Sequence, residues 1–402
     1  MLSDLLREVR EYRQHQNTAN SPGSIAMKPI ERREFLKSVI LAGAAVQAGE
    51  GRGVVHAQGA RKGLDKWRGV NLGGWLALEK WITPTLYTGL KAEDEYSLCE
   101  ELGPAKASAR LKQHRETWIT ADDFQWLAAR GLNAVRLPVN YGIAEENPPF
   151  ITGMDTLDWA FRTARAHGLG VLLDLHGVPG SQNGWDHSGR QGTLGWHTSK
   201  ANIDHSLRII TDLAARAKIH DNLIGIELLN EPRWDVPLDI LKRFYIDAYH
   251  RVREQISNDK AAVVMHDAFR SLQWSDFMSG PDYANVILDT HPYQCFTDDD
   301  RKRNLHQQVE FALLERKKQL DAIQKQLPSI VGEWSCALPP QSLEGRSGFA
   351  LDAAMRAYGD TQLINFDATR GWFYWTYKIE AGGAWSFRDC VKRGWMPEQY
   401  GV

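Results

Sequence analysis

Val171-Leu172-Leu173-Asp174-Leu175-His176 is a short apolar run that closes on a histidine. It lacks the alternation of a half-exposed strand, so it predicts a strand buried on both faces, as in a parallel sheet. Seven more runs of this kind occur: Gly69–Trp75, Ala134–Val139, Ile224–Asn230, Ala262–Asp267, Val286–His291, Ile330–Trp334 and Trp372–Tyr377. Helical patterns fill most of the gaps. Thr120-Ala121-Asp122-Asp123 has the chemistry of a capping box with Asp in place of Glu. Phe124, Leu127 and Ala128 follow at helical spacing, and Gly131 stands where the helix should stop. Met154, Leu157, Phe161 and Ala164 make a second stripe, Leu207, Ile210, Ala214 and Ala217 a third, and Leu238, Leu241, Tyr245 and Ala248 a fourth. Only a short helix fits between the fifth and sixth strands.

Eight strand–helix units in one chain predict an α/β fold, a single (β/α)8 TIM barrel, rather than an open doubly wound sheet. No GxGxxG follows the first strand and no Walker loop occurs, which argues against nucleotide binding. Residues 58–402 are expected to form one catalytic domain, and residues 1–57 an N-terminal extension with a signal.

That signal rests on Arg32-Arg33 ahead of a charge-free run from Ser38 to Ala48. Twin arginines in this position read as a Tat-type export signal. The run is too short to span a bilayer, and small residues place cleavage near Ala57-Gln58. Met27-Lys28 would make a natural start. The expected destination is periplasmic or extracellular, with no membrane partner beyond the export machinery.

The chain carries 48 Lys and Arg against 50 Asp and Glu, so it has no basic footprint for nucleic acid. Its four cysteines form no CxxC pair, which argues against a zinc ribbon or redox motif. Tryptophan, with 15 residues, outnumbers both Tyr and Phe. Its flat apolar face suits sugar rings, or simply a Trp-rich core.

Barrel chemistry gathers at the C-terminal strand ends. Arg136 lies near the expected end of the second strand. Asp174-Leu175-His176-Gly177 closes the third, Leu229-Asn230-Glu231-Pro232 the fourth and His291-Pro292-Tyr293 the sixth. Gly332-Glu333-Trp334-Ser335 closes the seventh, and Trp375 lies on the eighth. Glu231 and Glu333 both follow apolar runs, where a carboxylate is costly without a partner or a purpose. Either one alone reads equally well as an ion pair with a barrel arginine. Two of them, on strands four and seven, face each other and suit glycoside cleavage, in which one carboxylate attacks the anomeric carbon and the other protonates the leaving oxygen.

Arg68-Gly69-Val70-Asn71-Leu72-Gly73-Gly74-Trp75, Gly225-Ile226-Glu227-Leu228-Leu229-Asn230-Glu231-Pro232 and Gly332-Glu333-Trp334-Ser335 resemble glycoside hydrolase family 5, the cellulase-like family. Within it the likeness is nearest to the fungal and yeast exo-β-1,3-glucanases. Gly131-Leu132-Asn133-Ala134-Val135-Arg136-Leu137-Pro138 and Pro179-Gly180-Ser181-Gln182-Asn183-Gly184 extend it. The resemblance implies a retaining double displacement on a β-glucan, with Glu231 as acid/base, Glu333 as nucleophile, and no cofactor or metal. It implies Asn230 on the sugar 2-hydroxyl, Arg136 holding the nucleophile ionised, and His176, His291 and Tyr293 lining the sugar subsite. Trp375 would form its floor, and Glu79 would grip outer hydroxyls of the terminal glucose. Trp185 and Phe296 would stand as an aromatic pair at the pocket mouth. Lys80-Trp81, Asp289-Thr290, Tyr377 and Trp185 itself depart from the family pattern; they bear on linkage preference, not on the chemistry.

Other readings are an endo-β-1,4- or β-1,6-glucanase of the same family, a metal-dependent TIM-barrel hydrolase using His176, His291 and Glu333 as ligands, and a carbohydrate-binding protein that has lost catalysis. No HExxH occurs, and both carboxylates are present.

Overall fold

The structure, a computed structural model, describes residues 66–401 apart from 145, 146 and 275. The expected signal and its cleavage point lie outside these residues. Among the described residues, no helix is long and apolar enough to cross a membrane.

Eight parallel strands pair in chain order and close on themselves, β1 against β8. They are β1 (Trp67–Asn71), β2 (Ala134–Asn140), β3 (Gly170–Gly177), β4 (Leu223–Glu227), β5 (Ala262–His266), β6 (Val286–Thr290), β7 (Ser329–Trp334) and β8 (Gly371–Tyr374). Helices α1 (Glu95–Thr117) and α2 (Ala121–Ala128) separate β1 from β2. Then come α3 (Met154–Ala166), α4 (Lys200–Ala217) and α5 (Leu238–Arg253), one after each of β2, β3 and β4. Only a 3₁₀ turn, Ser271–Trp274, stands between β5 and β6, as the short gap requires. α6 (Asp298–Lys302), α7 (Leu305–Phe311) and α8 (Lys317–Gln324) follow β6; α9 (Gly348–Phe366) and α10 (Phe387–Lys392) flank β8.

The α2 start is the one its sequence encodes: the Thr120 amide donates to Asp123 Oδ2 at 2.9 Å, and Gly131 ends the segment at φ +76°. Four strand limits need correction. β1 and β8 lie earlier than their apolar runs, and β4 stops at Glu227, so Leu228 to Glu231 leave the ladder before the carboxylate is reached. β2, in turn, continues past Arg136 to Asn140.

Strand alternation sorts the side chains. Residues facing outward, such as Val70, Val135, Leu173 and Val263, join the large core under the helices. Those facing inward are layered. Trp67, Ala134, Leu172, Ala262, Val264, Ile287, Ile330 and Phe373 form an apolar plug. Two residues further along the same strands stand Arg136, Asp174, His266 and Asp289, all buried, and two beyond Asp174 and Asp289 come His176 and His291. The period of two therefore stacks charge on apolar, and imidazole on charge.

β7 breaks the period. Its register against β8 shifts between Val331 and Trp334. Trp334 packs against Phe366 and Trp372, leaving Glu333 to the barrel side. Gly332 permits this irregularity: a Cβ there would fall 1.8 Å from Asp289 Oδ2.

Candidate active site

Arg136 is the hub. Its Nε donates to Glu227 Oε2 at 2.8 Å, Nη1 to Asn71 Oδ1 at 2.9 Å and Glu333 Oε1 at 3.0 Å, and Nη2 to Asn230 Oδ1 at 2.8 Å. Asp174 Oδ2 lies 3.1 Å from Nη2. Five acceptors meet the five N–H donors of one guanidinium, which explains how a fully buried cation is tolerated among carboxylates. Those carboxylates raise its pKa against the opposing effect of burial.

Glu333 is held from its other side by the Tyr293 hydroxyl, which donates to Oε2 at 2.9 Å. His291 Nδ1 lies 2.7 Å from Glu231 Oε1 and 3.5 Å from Glu333 Oε2. Two carboxylates that share one ring nitrogen at these distances have their nearest oxygens closer than the roughly 6.5–9.5 Å of an inverting pair. Glu231 adopts φ +42°, a left-handed conformation unusual for Glu, and its carbonyl accepts from Asn183 Nδ2 at 3.1 Å. Gln182 Nε2 donates to the carbonyls of both His176 and Asn230 at 2.8 Å, tying the ends of β3 and β4 together.

Burial dominates the electrostatics. It pushes Glu333 up, against the pull of Arg136 and the Tyr293 hydroxyl. It lifts Glu231 well above the carboxylate range, and the charge of Glu333 adds to the rise. Arg136 lowers both but touches only Glu333, so Glu333 ionises first and Glu231 keeps its proton. Burial and the nearby Arg136 hold His291 well below its usual pKa, hence neutral.

The description Cellulase (glycosyl hydrolase family 5) matches residues 102–378. A protein from Blumeria graminis named Glucan 1,3-beta-glucosidase is 38% identical, covering 83% of this chain and 87% of its own. One of the same name from Kluyveromyces lactis is 32% identical, covering 83% and 89%. The chain belongs to glycosyl hydrolase family 5. It is accordingly a glycoside hydrolase, and of the retaining type. A solved rutinosidase from Aspergillus niger superposes with a TM-score of 0.70 over 82% of this chain and 97% of its own, at 21% identity, and shows the shared fold.

On this family 5 barrel, Arg136, His176, Asn230, Glu231, His291, Tyr293 and Glu333 form one connected cluster. His176 turns Nδ1 to Asp174 at 2.7 Å and stacks on Trp375, ring centres 5.5 Å apart and planes 2° from parallel. Glu79 is buried and accepts from Trp81 Nε1 at 2.8 Å; its Oε1 has no partner, and burial followed by the charge of Asp186 raises its pKa. Trp185 and Phe296 fall into two separate ring clusters. Trp185 meets Trp234 and Phe269, each at 6.2 Å, whereas Phe296 meets Trp385 at 5.9 Å and Tyr293 at 5.3 Å.

Several members of the site escaped the sequence reading. Asn71 and Glu227 touch Arg136 and Asp289 touches His291; strand alternation from the apolar plug points to Asn71 and Asp289, and the pairing of β4 with Asp174 points to Glu227. His187 Nε2 approaches Glu231 Oε2 at 3.5 Å; it sits on a loop with no period to reveal it.

The metal set considered from sequence is not assembled, because His176 faces Asp174 and Asn230 instead. Among the described residues, Glu231, His266 and His291, or Glu227, Asp289 and His291, offer ligand atoms within 4.8 Å of one another. Arg136 already places a full positive charge against Glu227, which disfavours a cation there.

Proposed function

We propose that this chain is a retaining, exo-acting glucan 1,3-β-glucosidase of polysaccharide catabolism. The observation that carries the substrate is the name shared by relatives that align over most of both chains. The carboxylate pair around His291 supports the chemistry. Glu333, ionised beside Arg136, attacks the anomeric carbon while Glu231 gives its proton to the leaving oxygen. The C–O bond breaks and a glucosyl ester forms on Glu333. Its charge then vanishes, and with it one cause of the high pKa of Glu231. Glu231 can now take a proton from the incoming water, which releases glucose with its β configuration kept. Asn230, fixed by Arg136, meets the sugar 2-hydroxyl, and Trp375 underlies the ring. Glu79, with its free oxygen, takes outer hydroxyls of the terminal glucose and closes that end, which supports exo action.

A 2-deoxy-2-fluoro-β-glucosyl substrate should label the peptide that carries Glu333, and Glu333→Gln should abolish turnover. Laminarin digests should release single glucose units as the β anomer by NMR. A label elsewhere, an inverted product or early mixed oligosaccharides would refute the assignment, the last in favour of an endo-glucanase. Arg32-Arg33 and the charge-free run after it support export through a twin-arginine route.

A further inference from the structure

The helical segment from α7 to α8 buries Leu305, Gln308, Ala312, Leu320 and Ile323. Arg316 falls on the same stripe, four residues from Ala312 and four from Leu320, where an apolar side chain would be expected. The turn that carries it, Ala312–Arg316, is π-helical: the Lys317 amide donates to the Ala312 carbonyl, five residues back. Asn365 Nδ2 of α9 donates to that same carbonyl at 2.6 Å. Single π turns inside α-helices are rare and gather at functional sites.

Arg316 reaches out of its helix to the loop after β6. Its Nη2 donates to the Tyr293 carbonyl at 3.3 Å and its Nη1 to Gln319 Oε1 at 2.8 Å, while Nε is buried with no partner among the described residues. Tyr358, Asp300, Arg303 and Asp267 stand around it. Burial lowers its pKa, and Tyr358, Asp300 and Asp267 oppose that fall. A guanidinium keeps its charge in such a place, so the bond to Tyr293 is charge-assisted.

Tyr293 is thereby fixed at three points. Its amide donates to the His291 carbonyl at 3.0 Å, closing a tight turn over Pro292; its carbonyl accepts from Arg316; and its hydroxyl donates to Glu333 Oε2 at 2.9 Å. The next residue is tethered as well. Gln294 Nε2 donates to the Gln308 carbonyl of α7 at 3.1 Å, and Gln294 Oε1 accepts from Gln362 Nε2 of α9 at 3.2 Å. Glu333 faces Arg136, Asp174, Glu231, Asp289, His291 and Tyr293. Of these, Arg316 bonds to Tyr293 alone. A phenol ring is rigid, so any drift of the Tyr293 backbone is carried to its hydroxyl, and a hydrogen bond fades as its geometry is lost.

We infer that Arg316 is a positioning residue of the hydrolytic reaction: from its π-helical turn it fixes the Tyr293 loop so that the phenol hydroxyl keeps its hydrogen bond to Glu333. The inference rests on the nucleophile reading of Glu333 above. A hydroxyl that donates to a carboxylate favours the ionised form. Arg316 therefore supports the charge of the nucleophile through Tyr293, without touching the substrate.

The test is the acidic limb of kcat/KM on an aryl β-glucoside, which reports ionisation of the nucleophile, in Arg316→Met, Tyr293→Phe and the double variant. Tyr293→Phe removes the donor, so Glu333 ionises less readily and the limb should move up by about one pH unit, the order of a hydrogen bond to a charged group. Arg316→Met should move it in the same direction by about half a unit or more, and should move it no further in the Tyr293→Phe background. If Arg316→Met does not fold, Arg316→Lys takes its place in the same comparison: it keeps the charge, but its nitrogen ends near the guanidinium carbon, short of the Tyr293 carbonyl. A limb left in place in the folded Arg316 variant, or an equal shift with and without the Tyr293 hydroxyl, overturns the inference. Trapping with the 2-deoxy-2-fluoro glucoside separates the two readings. Label on Glu333 with an unmoved limb removes only the role of Arg316, whereas label elsewhere removes the nucleophile reading and this inference with it.

Discussion

Replacing Arg136 by lysine keeps one positive charge in the barrel but supplies three N–H donors where five acceptors wait. Asn71, Asp174, Glu227, Asn230 and Glu333 all lie within 3.1 Å of the guanidinium nitrogens. At least two buried oxygens therefore lose their partner. At about 1–3 kcal/mol for each, Arg136→Lys should cost about 2–6 kcal/mol of stability in urea unfolding. The effect on chemistry is separate. Arg136 Nη1 lies 3.0 Å from Glu333 Oε1; a lysine nitrogen, ending near the guanidinium carbon, would stand about 1 Å further away. At an effective dielectric of about 20, that retreat weakens the attraction by about 1.4 kcal/mol, or about one pK unit. The ionised form of Glu333 loses support, so its pKa rises. The acidic limb of kcat/KM, which reports ionisation of the nucleophile in the free enzyme, should move about one unit to higher pH. The assay is a kcat/KM profile of a soluble, folded Arg136→Lys enzyme on an aryl β-glucoside. An acidic limb that stays where it was, or moves to lower pH, would refute the role given to Arg136 as the support of the Glu333 charge.

Glu231→Ala should lose about 10²- to 10⁴-fold on laminari-oligosaccharides and far less on aryl glucosides of acidic phenols, whose leaving groups need no proton; equal losses on both would remove the acid assignment. In Gly332→Ala, the new Cβ meets the Asp289 carboxylate at 1.8 Å. Moving that side chain should cost about 1–3 kcal/mol in urea unfolding, and a change below about 0.5 kcal/mol would mean that β7 relaxes freely. Lysines in place of Arg32 and Arg33 should leave precursor in the cytoplasm by cell fractionation, while wild type yields a mature chain beginning near Gln58; unchanged export points to another route.

The barrel was legible because a strand buried on both faces has to be apolar throughout, so eight runs such as Val171–His176 show themselves without any contact being known. Glu231 and Glu333 were legible for the complementary reason: a charge at the end of an apolar run is conspicuous wherever it points. The α2 start and its stop at Gly131 were readable from local chemistry alone. Strand limits were less so, since Leu228 and Leu229 are apolar whether or not they lie in the ladder.

Other features belong to the closed sheet. Glu227 and Asp289 look like ordinary polar interruptions until the closed sheet pairs Glu227 with Asp174 beside the Arg136 guanidinium and sets Asp289, two residues beyond Ile287 of the plug, against His291. Glu333 faces the barrel only because the register of β7 slips, and Gly332 leaves room for the Asp289 carboxylate that the slip brings close. His187 reaches Glu231 from a loop, and Trp234 and Phe269 reach Trp185 from two others. Sequence by itself determined which residue types lie on each strand and in what order, because buried strands and helix caps are selected by local physical chemistry. Which carboxylate keeps its proton, which cation serves several anions at once and which rings meet at the rim depend on distances between residues far apart in the chain. Charge interactions and packing act over those distances, and only closure of the barrel sets them.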